Sequence, residues 1–438
     1  MNNTELLTDK LISQINQLSD EHREFLVNPD RDFTRLRKLS YAEVVKYVLC
    51  MEGDSCDDEI FSYFGLHEQN PTSSAIIQQR NKIKPEAFRW LFDSFNKVSH
   101  DNSENFRYNG YRLLAVDGSV LTYPTNRKDT ETYVVDGNTR YNAFHLNASY
   151  DLMERTYDDV IIQCKPAYNE FEAFNEMVDR YEGEKAIFIA DRGYCSINSL
   201  EHVKQSGNYC ILRSKDIHSS TSMAISFIDP DRDYGEFDMS VRRTLTRRYT
   251  NEIKAHREIY KFMPQNQKFD FFGDDRFYDF ECRIVRFRID SKDGEEYEMI
   301  FTNLPADEFP MEEIKKLYNM RWGIETSFRK LKYSVSLNAF HSRKKAFLIQ
   351  EIYARLIFYN FSERVVGKIR ERKGKYVYRV NFTYACHRLR QYLRIKKDGA
   401  ELPDIEAIIA KKMTEVKPDR NFPRVTRAKS AVFFSYRF

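Results

Sequence analysis

Three acidic residues stand where their type and setting could do chemistry. Asp117 closes the apolar run Leu113-Leu114-Ala115-Val116, and Asp191 closes Ile187-Phe188-Ile189-Ala190. A carboxylate at the carboxyl end of a strand leaves the core without being desolvated, and that end of a sheet is where ligands gather. Gly118 and Gly193 follow closely, and glycine lets a backbone or a ligand approach. Singly, an Asp that ends a strand is a turn former, so the repetition is what points to a shared role.

The third acid lies in Tyr318-Asn319-Met320-Arg321-Trp322-Gly323-Ile324-Glu325-Thr326-Ser327-Phe328-Arg329-Lys330-Leu331-Lys332. On a helix, Tyr318, Arg321, Glu325 and Lys332 fall along one stripe. A solvated face with an Arg321–Glu325 pair contributes only about 0.3–0.5 kcal/mol. Leu317, Trp322, Ile324, Phe328 and Leu331 occupy the other faces, however, so the helix is expected to be docked with its polar stripe aimed at a ligand. Phosphate fits that stripe. Arg and Lys bind it, and a carboxylate between them would repel a polyanion unless a metal mediates.

The elements that must carry these residues are legible in outline. Residues 5–99 show helical spacing, as in 41–49, and within them 71–82 offers Thr and Ser caps before a helix exposing Gln, Arg, Asn and Lys, suited to a recognition helix or to a plain surface. After a polar linker at 101–109, strands are expected at 112–117, 120–123, 142–150 and 159–164, the first three pairing as hairpins. A helix at 169–181 with Phe171, Phe174 and Val178 on one face, a buried strand at 186–191, a helix at 196–206 and a strand at 209–212 follow. Residues 215–296 are short aromatic and β-branched stretches broken by Asp, Gly and Pro, a β-rich insertion with strands near 237–249, 258–262 and 282–289. A strand at 297–302 resumes the earlier unit. One long helix from Pro310 to Tyr333 and a second over 344–366 complete it.

With these residues in place, the chain resembles the insertion-sequence-four-type DDE transposases. Tyr318, Arg321, Glu325 and Lys332 match that family's Y-x2-R-x3-E-x6-K signature, Asp117 in Val-Asp-Gly-Ser its first catalytic acid, and Asp191 in Ala-Asp-Arg-Gly-Tyr its second. The likeness spans about residues 111–345. It implies an α/β fold: a ribonuclease-H-like mixed-sheet core interrupted by a β-rich insertion, with helical N-terminal and basic helical C-terminal regions. The expected division is 1–105 for DNA-end binding, 106–214 and 297–366 for the core, 215–296 for the insertion and 367–438 for the basic region.

The resemblance further implies that Asp117, Asp191 and Glu325 hold two Mg2+ ions, replaceable by Mn2+, with Asp117 shared between them. Two ions roughly 3.5–4 Å apart activate the attacking oxygen and stabilise the leaving one. Arg321 and Lys332 would bind phosphates beside the cut, Tyr318 would position that strand, and Arg343, Lys344 and Lys345 would extend the track. The implied partners are double-stranded DNA, as terminal inverted repeats and target DNA, and a second copy in a homodimeric synaptic complex. The chain departs from the pattern at one point. Relatives often hold a flipped base on an insertion aromatic, sometimes Trp, whereas Trp90 and Trp322 both lie outside the insertion, leaving Tyr249, Tyr260 or another aromatic.

Composition narrows the alternatives. With 438 residues, 42% hydrophobic, 31% charged, 33 Phe and 28 Tyr, the chain is a folded protein of several units. No apolar run reaches the roughly 18 residues of a membrane span, and the polar first 20 residues do not read as a signal peptide, so the bacterial cytoplasm, and the nucleoid when DNA-bound, is the expected location. The seven scattered cysteines suggest neither zinc module nor disulfides. Residues 364–438 hold 20 Lys and Arg against 7 Asp and Glu, which suits a polyanionic partner. His145 and His202, each without an evident partner, suggest no rival centre, and Tyr123 and Tyr150 read as packing residues. A stand-alone metal nuclease and a domesticated DNA-binding protein are the competing readings; two-carboxylate glycosidase chemistry leaves Arg321 and Lys332 without a role.

Overall fold

The computed structural model describes residues 3–35, 39–100, 106–229, 235–291, 294–374, 376–396 and 402–416. Parts of the expected polar linker (101–105) and of the basic C-terminal region (397–401 and 417–438) lie outside them.

The chain begins with α1 (Asn3–Asp20), α2 (Tyr41–Cys50), α3 (Cys56–Phe64), α4 (Ser73–Arg80) and α5 (Glu86–Ser99). Ser40, Ser55 and Thr72 cap α2, α3 and α4 by accepting the amide three residues on, as short helices need. Then come β1 (Arg112–Tyr123), β2 (Tyr133–Asp136), β3 (Thr139–Asp151), β4 (Thr156–Cys164), α6 (Glu170–Asp179), β5 (Ala186–Ala190), α7 (Ile197–Gln205) and β6 (Tyr209–Ser214). The expected insertion holds β7 (Phe237–Thr246), α8 (Asn251–Ala255), β8 (Tyr260–Phe262), β9 (Phe277–Ser291) and the start of β10 (Gly294–Thr302). The chain continues as α9 (Met311–Met320), α10 (Trp322–Tyr333), α11 (Lys345–Lys368), β11 (Arg372–Lys373), β12 (Val377–Val380), α12 (Phe382–Ile395), α13 (Ile405–Ala410) and β13 (Met413–Val416).

The fold is mixed α/β. Along one sheet the order is β2-β3-β1-β5-β6-β10-β9-β7-β8, with β4 on β3. β1, β3 and β4 are antiparallel neighbours, whereas β5 and β6 run parallel to β1. β5 is buried throughout because helices cover both faces of the sheet. On one face, Ala115, Leu121, Leu146 and Ala148 share a core with α1, α2, α5, α10, α11 and α12. On the other, Val116 and Phe188 meet α6, α7 and the strands β7 and β9. The strands after β6 therefore extend this sheet through β10, which pairs with both β6 and β9.

Several expectations change. The two strands expected at 112–117 and 120–123 are one, because β3 keeps register through Asp117↔Ala148 and Gly118↔Asn147. β5 pairs only as far as Val116↔Ala190, so Asp117 sits one step past the end of its parallel neighbour rather than at its own strand's end. The helix expected from Pro310 to Tyr333 divides at Arg321, where the Arg321 and Ile324 amides bond three residues back and tighten the turn. Phe171 stays 42% exposed while Phe174 and Val178 are buried. In α4, Arg80 is not presented to solvent: its guanidinium is sealed against Glu351, Gln350 and the Phe347 carbonyl of α11. All seven cysteines are free thiols.

Candidate active site

Alternation along β1 puts Asp117 on the same face as Ala115 and Leu121, the face on which α10 packs through Ile324, Phe328 and Leu331. Asp191 follows directly on β5, the central neighbour of β1. Glu325 lies in the first turn of α10. The guanidinium of Arg321, buried at the α9–α10 junction, ties two of these acids together: Nη1 lies 3.8 Å from Asp117 Oδ2 and Nη2 donates to Glu325 Oε1 at 3.2 Å. The third has its own partners. Tyr318 Oη donates to Asp191 Oδ1 at 3.3 Å, and Arg213 Nη1 reaches the same oxygen at 3.4 Å.

Electrostatics show how unequal the three positions are. Burial pushes the Asp117 carboxyl up to about 6; the Gly118 amide and Arg321 pull it down, while Glu325 and Asp191 raise it further. Asp191 goes the other way. Burial opposes its ionisation, but the Arg192 amide, Arg213 and Arg321 outweigh that and hold it below the usual carboxylate range. Burial also lowers the Lys332 ammonium, whose Nζ donates to the Val120 carbonyl at 3.0 Å, three residues along β1 from Asp117.

Among the described residues no three His, Cys, Asp or Glu side chains are close enough to hold an ion as they stand, and Arg321 occupies the space beside two of the acids. The donors nevertheless suit a hard dication. All three are carboxylates, and Asp117 carries a buried charge that its two acidic neighbours make costlier, which a divalent ion would relieve.

Tyr318 and Arg321 thus converge with the acids, Lys332 is anchored to β1 three residues beyond Asp117, and Arg343, Lys344 and Lys345 do not join them. Lys344 is paired with Asn81 and Lys345 with Glu131, both at the surface, and Arg343 is exposed. Trp322, expected to pack, is 54% exposed, with the Arg321 guanidinium 5.2 Å from its ring. Tyr249 is also exposed, against Phe262 and Lys254. Both histidines have partners the spacing did not suggest. His202 Nδ1 and Nε2 lie 2.7 and 3.1 Å from Asp179 and Asp270, and His145 Nε2 lies 3.1 Å from Glu170.

Two residues at the site escaped sequence reasoning, Arg213 on β6 and Glu298 on β10. Arg213 Nε lies 3.5 Å from Glu298 Oε1, whose carboxyl burial raises. The signal for Arg213 is a charge within an otherwise apolar strand, and for Glu298 a charge beside the apolar run Met299-Ile300-Phe301.

Comparison with known proteins adds to this geometry. The transposase DDE domain family matches residues 108–361, more than half of the chain. Transposase InsG for insertion sequence element IS4, from Escherichia coli (strain K12), is 20% identical over 368 residues, covering 81% of this chain and 76% of that protein. A solved piggyBac transposase synaptic complex with hairpin DNA aligns over 94% of this chain and 85% of its own, with 12% identity and a TM-score of 0.44. The chain belongs to the transposase DDE domain family.

Proposed function

We propose that this protein cuts DNA at the ends of an insertion sequence and joins those ends to target DNA, with Asp117, Asp191 and Glu325 as its catalytic acids. The single observation that carries this reading is the meeting of all three acids around Arg321 and Tyr318, residues otherwise separated by most of the core. The antiparallel run β4-β3-β1 continued by parallel β5 and β6 supports a ribonuclease-H-like core.

The family works with divalent metal ions. Asp117, Asp191 and Glu325 would hold two Mg2+ ions, for which Mn2+ would substitute, and these would supply an activated oxygen nucleophile and a stabilised leaving oxygen. The chain's own residues do the rest. Arg321, the counter-ion of Asp117 and Glu325, would grip a phosphate of the bound strand if those acids were neutralised by other positive charge. Lys332, anchored to a neutral carbonyl rather than an acid, offers a second phosphate contact at little cost. Tyr318 and Arg213 fix the rotamer of Asp191. Arg343, exposed beside these, and Lys344 and Lys345, once released from their surface partners, would extend the phosphate track. The α1–α5 region would bind the terminal inverted repeats, and two copies would act on two ends together.

The test is a plasmid carrying the coding region with its natural flanks, incubated with the protein in Mg2+. Excision at both ends followed by insertion into a second plasmid is expected, and Asp117→Ala, Asp191→Ala or Glu325→Ala should abolish both while end binding persists. Cleavage without any joined product would replace this reading by a stand-alone nuclease, and full activity in any single variant would remove that acid from the centre.

A further inference from the structure

Gly118, within β1 beside Asp117, and Gly193, in the turn after Asp191, are packed against one and the same histidine–carboxylate pair. Alternation along β1 turns Gly118 away from α10, toward the face where its register partner on β3 is Asn147 and where His145 stands opposite Val120. His145 is buried, and its Nε2 lies 3.1 Å from Oε1 of Glu170, the first residue of α6, although off the line of a hydrogen bond. A β-carbon added at Gly118 would overlap His145 Nε2 and come within 2.9 Å of Tyr194 Oη. One added at Gly193 would come within 2.6 Å of Glu170 Oε2. The pair thus lies beneath both segments, with its histidine end under Gly118 within β1 and its carboxylate end under the turn that follows Asp191.

The pair is itself held from several sides. The Tyr168 ring lies 4.3 Å from the His145 ring, and Lys165 Nζ is 3.5 Å from His145 Nδ1. Tyr194 Oη, next to Gly193, donates to Asn147 Oδ1 at 3.0 Å; Asn147 Nδ2 donates to Gln163 Oε1 at 3.0 Å; and that oxygen also accepts the amide of Asn169, the cap of α6, at 3.1 Å. The β3–β4 ladder and the start of α6 are therefore connected to the turn that follows Asp191.

We infer that His145 and Glu170 are positioning residues which together set the separation of Asp117 and Asp191. This rests on the proposal above that the two aspartates act as one centre. It also gives both glycines a role: a β-carbon at Gly118 would meet the buried His145 ring, and one at Gly193 would displace the Glu170 carboxylate. Catalytic groups must be held within roughly 0.5 Å of their working geometry, so a contact that touches β1 at Gly118 and the turn after Asp191 at once bears on metal binding.

The full-length protein tests this through its Mn2+ dissociation constant, read from free Mn2+ by electron paramagnetic resonance, alongside kcat and KM for DNA-end cleavage. Glu170→Ala should weaken Mn2+ binding and lower kcat by about 10–100-fold, with KM for DNA within about twofold, the behaviour of a group supporting metal ligands. Glu170→Gln, which keeps the shape beneath Gly193, should lose less than about threefold. Gly193→Ala should match Glu170→Ala, and the double variant should be no worse than either alone, because the added methyl then enters vacated space. His145→Gln, which withdraws the ring from Gly118, is a second arm with the same expected loss. A folded Glu170→Ala or His145→Gln protein with wild-type constants overturns the inference, as do losses at Gly193 and Glu170 that multiply. Asp191→Ala measured in parallel separates the two levels. Wild-type Mn2+ affinity in that variant contradicts the active-site reading itself, whereas an inactive Asp191→Ala beside a fully active Glu170→Ala contradicts the positioning role alone.

Discussion

Two clusters of buried charge hold this molecule together in opposite ways. Between the N-terminal helices and α11, Arg80 meets Glu351 at 2.9 Å, Glu351 meets His341 at 3.3 Å, and His341 reaches Glu59 at 3.6 Å, all sealed from solvent. Burial alone would raise the Glu351 carboxyl, but Arg80, His341 and Arg355 outweigh it and bring it down to about 2. At the other cluster, burial raises Asp117 to about 6, because the single cation Arg321 is shared and two further acids face it. Similar desolvation thus ends in opposite shifts, decided by the sign of the neighbours. A cluster neutralised from within is structural; one left with surplus negative charge needs positive charge from outside.

The largest effect that would sharpen this contrast is on stability at the first cluster. Arg80→Ala leaves Glu351 without its main partner and should cost about 3–5 kcal/mol in urea unfolding. A loss below about 1 kcal/mol would put the pair on a par with surface ion pairs and erase the distinction.

The next is a pair of pH dependences with opposite signs. Glu351 is depressed in the fold, so the stability it contributes is present above the unfolded value of about 4.3 and is lost as pH falls toward 2. Glu351→Gln should therefore be less stable than wild type at pH 7, the two converging in acid. Asp117 is raised, so its ionisation begins to cost the fold above about 4 and costs it fully above 6. Without metal, Asp117→Asn should be more stable than wild type by about 1–3 kcal/mol at pH 7.5 and equal to it at pH 4. Equal stability at both pH values would show that Asp117 carries no surplus charge.

A smaller effect follows from adding the missing charge. Mn2+ at ten times its dissociation constant should stabilise the wild type by about 1.4 kcal/mol, seen as a rise in Tm, and should leave Asp117→Asn nearly unmoved. An equal rise in both would place the ion elsewhere.

The sequence was informative where spacing is local. Glu325, Arg321, Tyr318 and Lys332 share one short segment, so a periodic stripe revealed them, and the apolar runs before Asp117 and Asp191 marked their strands. What stayed hidden depends on distant contacts. Arg80 looks like any exposed residue of a capped helix until α11, some 270 positions later, closes over it. Arg213 is the one charge of the apolar strand β6 and Glu298 one of three glutamates in β10, and only the β6–β10 pairing brings them together. His145 and Glu170 belong to a strand and a helix joined by no local pattern. The break at Arg321 is not evident from the sequence because the apolar periodicity runs through it and Gly323 alone hints at it; what turns the chain is the tightened bonding that aims Arg321 at two acids.

The most direct test of the central claim is the rate of DNA-end cleavage in Mg2+ for Asp117→Ala, Asp191→Ala, Glu325→Ala and the triple variant. If the three acids form one centre, each single change should cost roughly 10⁴-fold or more and the triple variant little beyond that, since groups acting as a unit are lost together. A single variant that cleaves at the wild-type rate, or three losses that multiply in the triple variant, would contradict it.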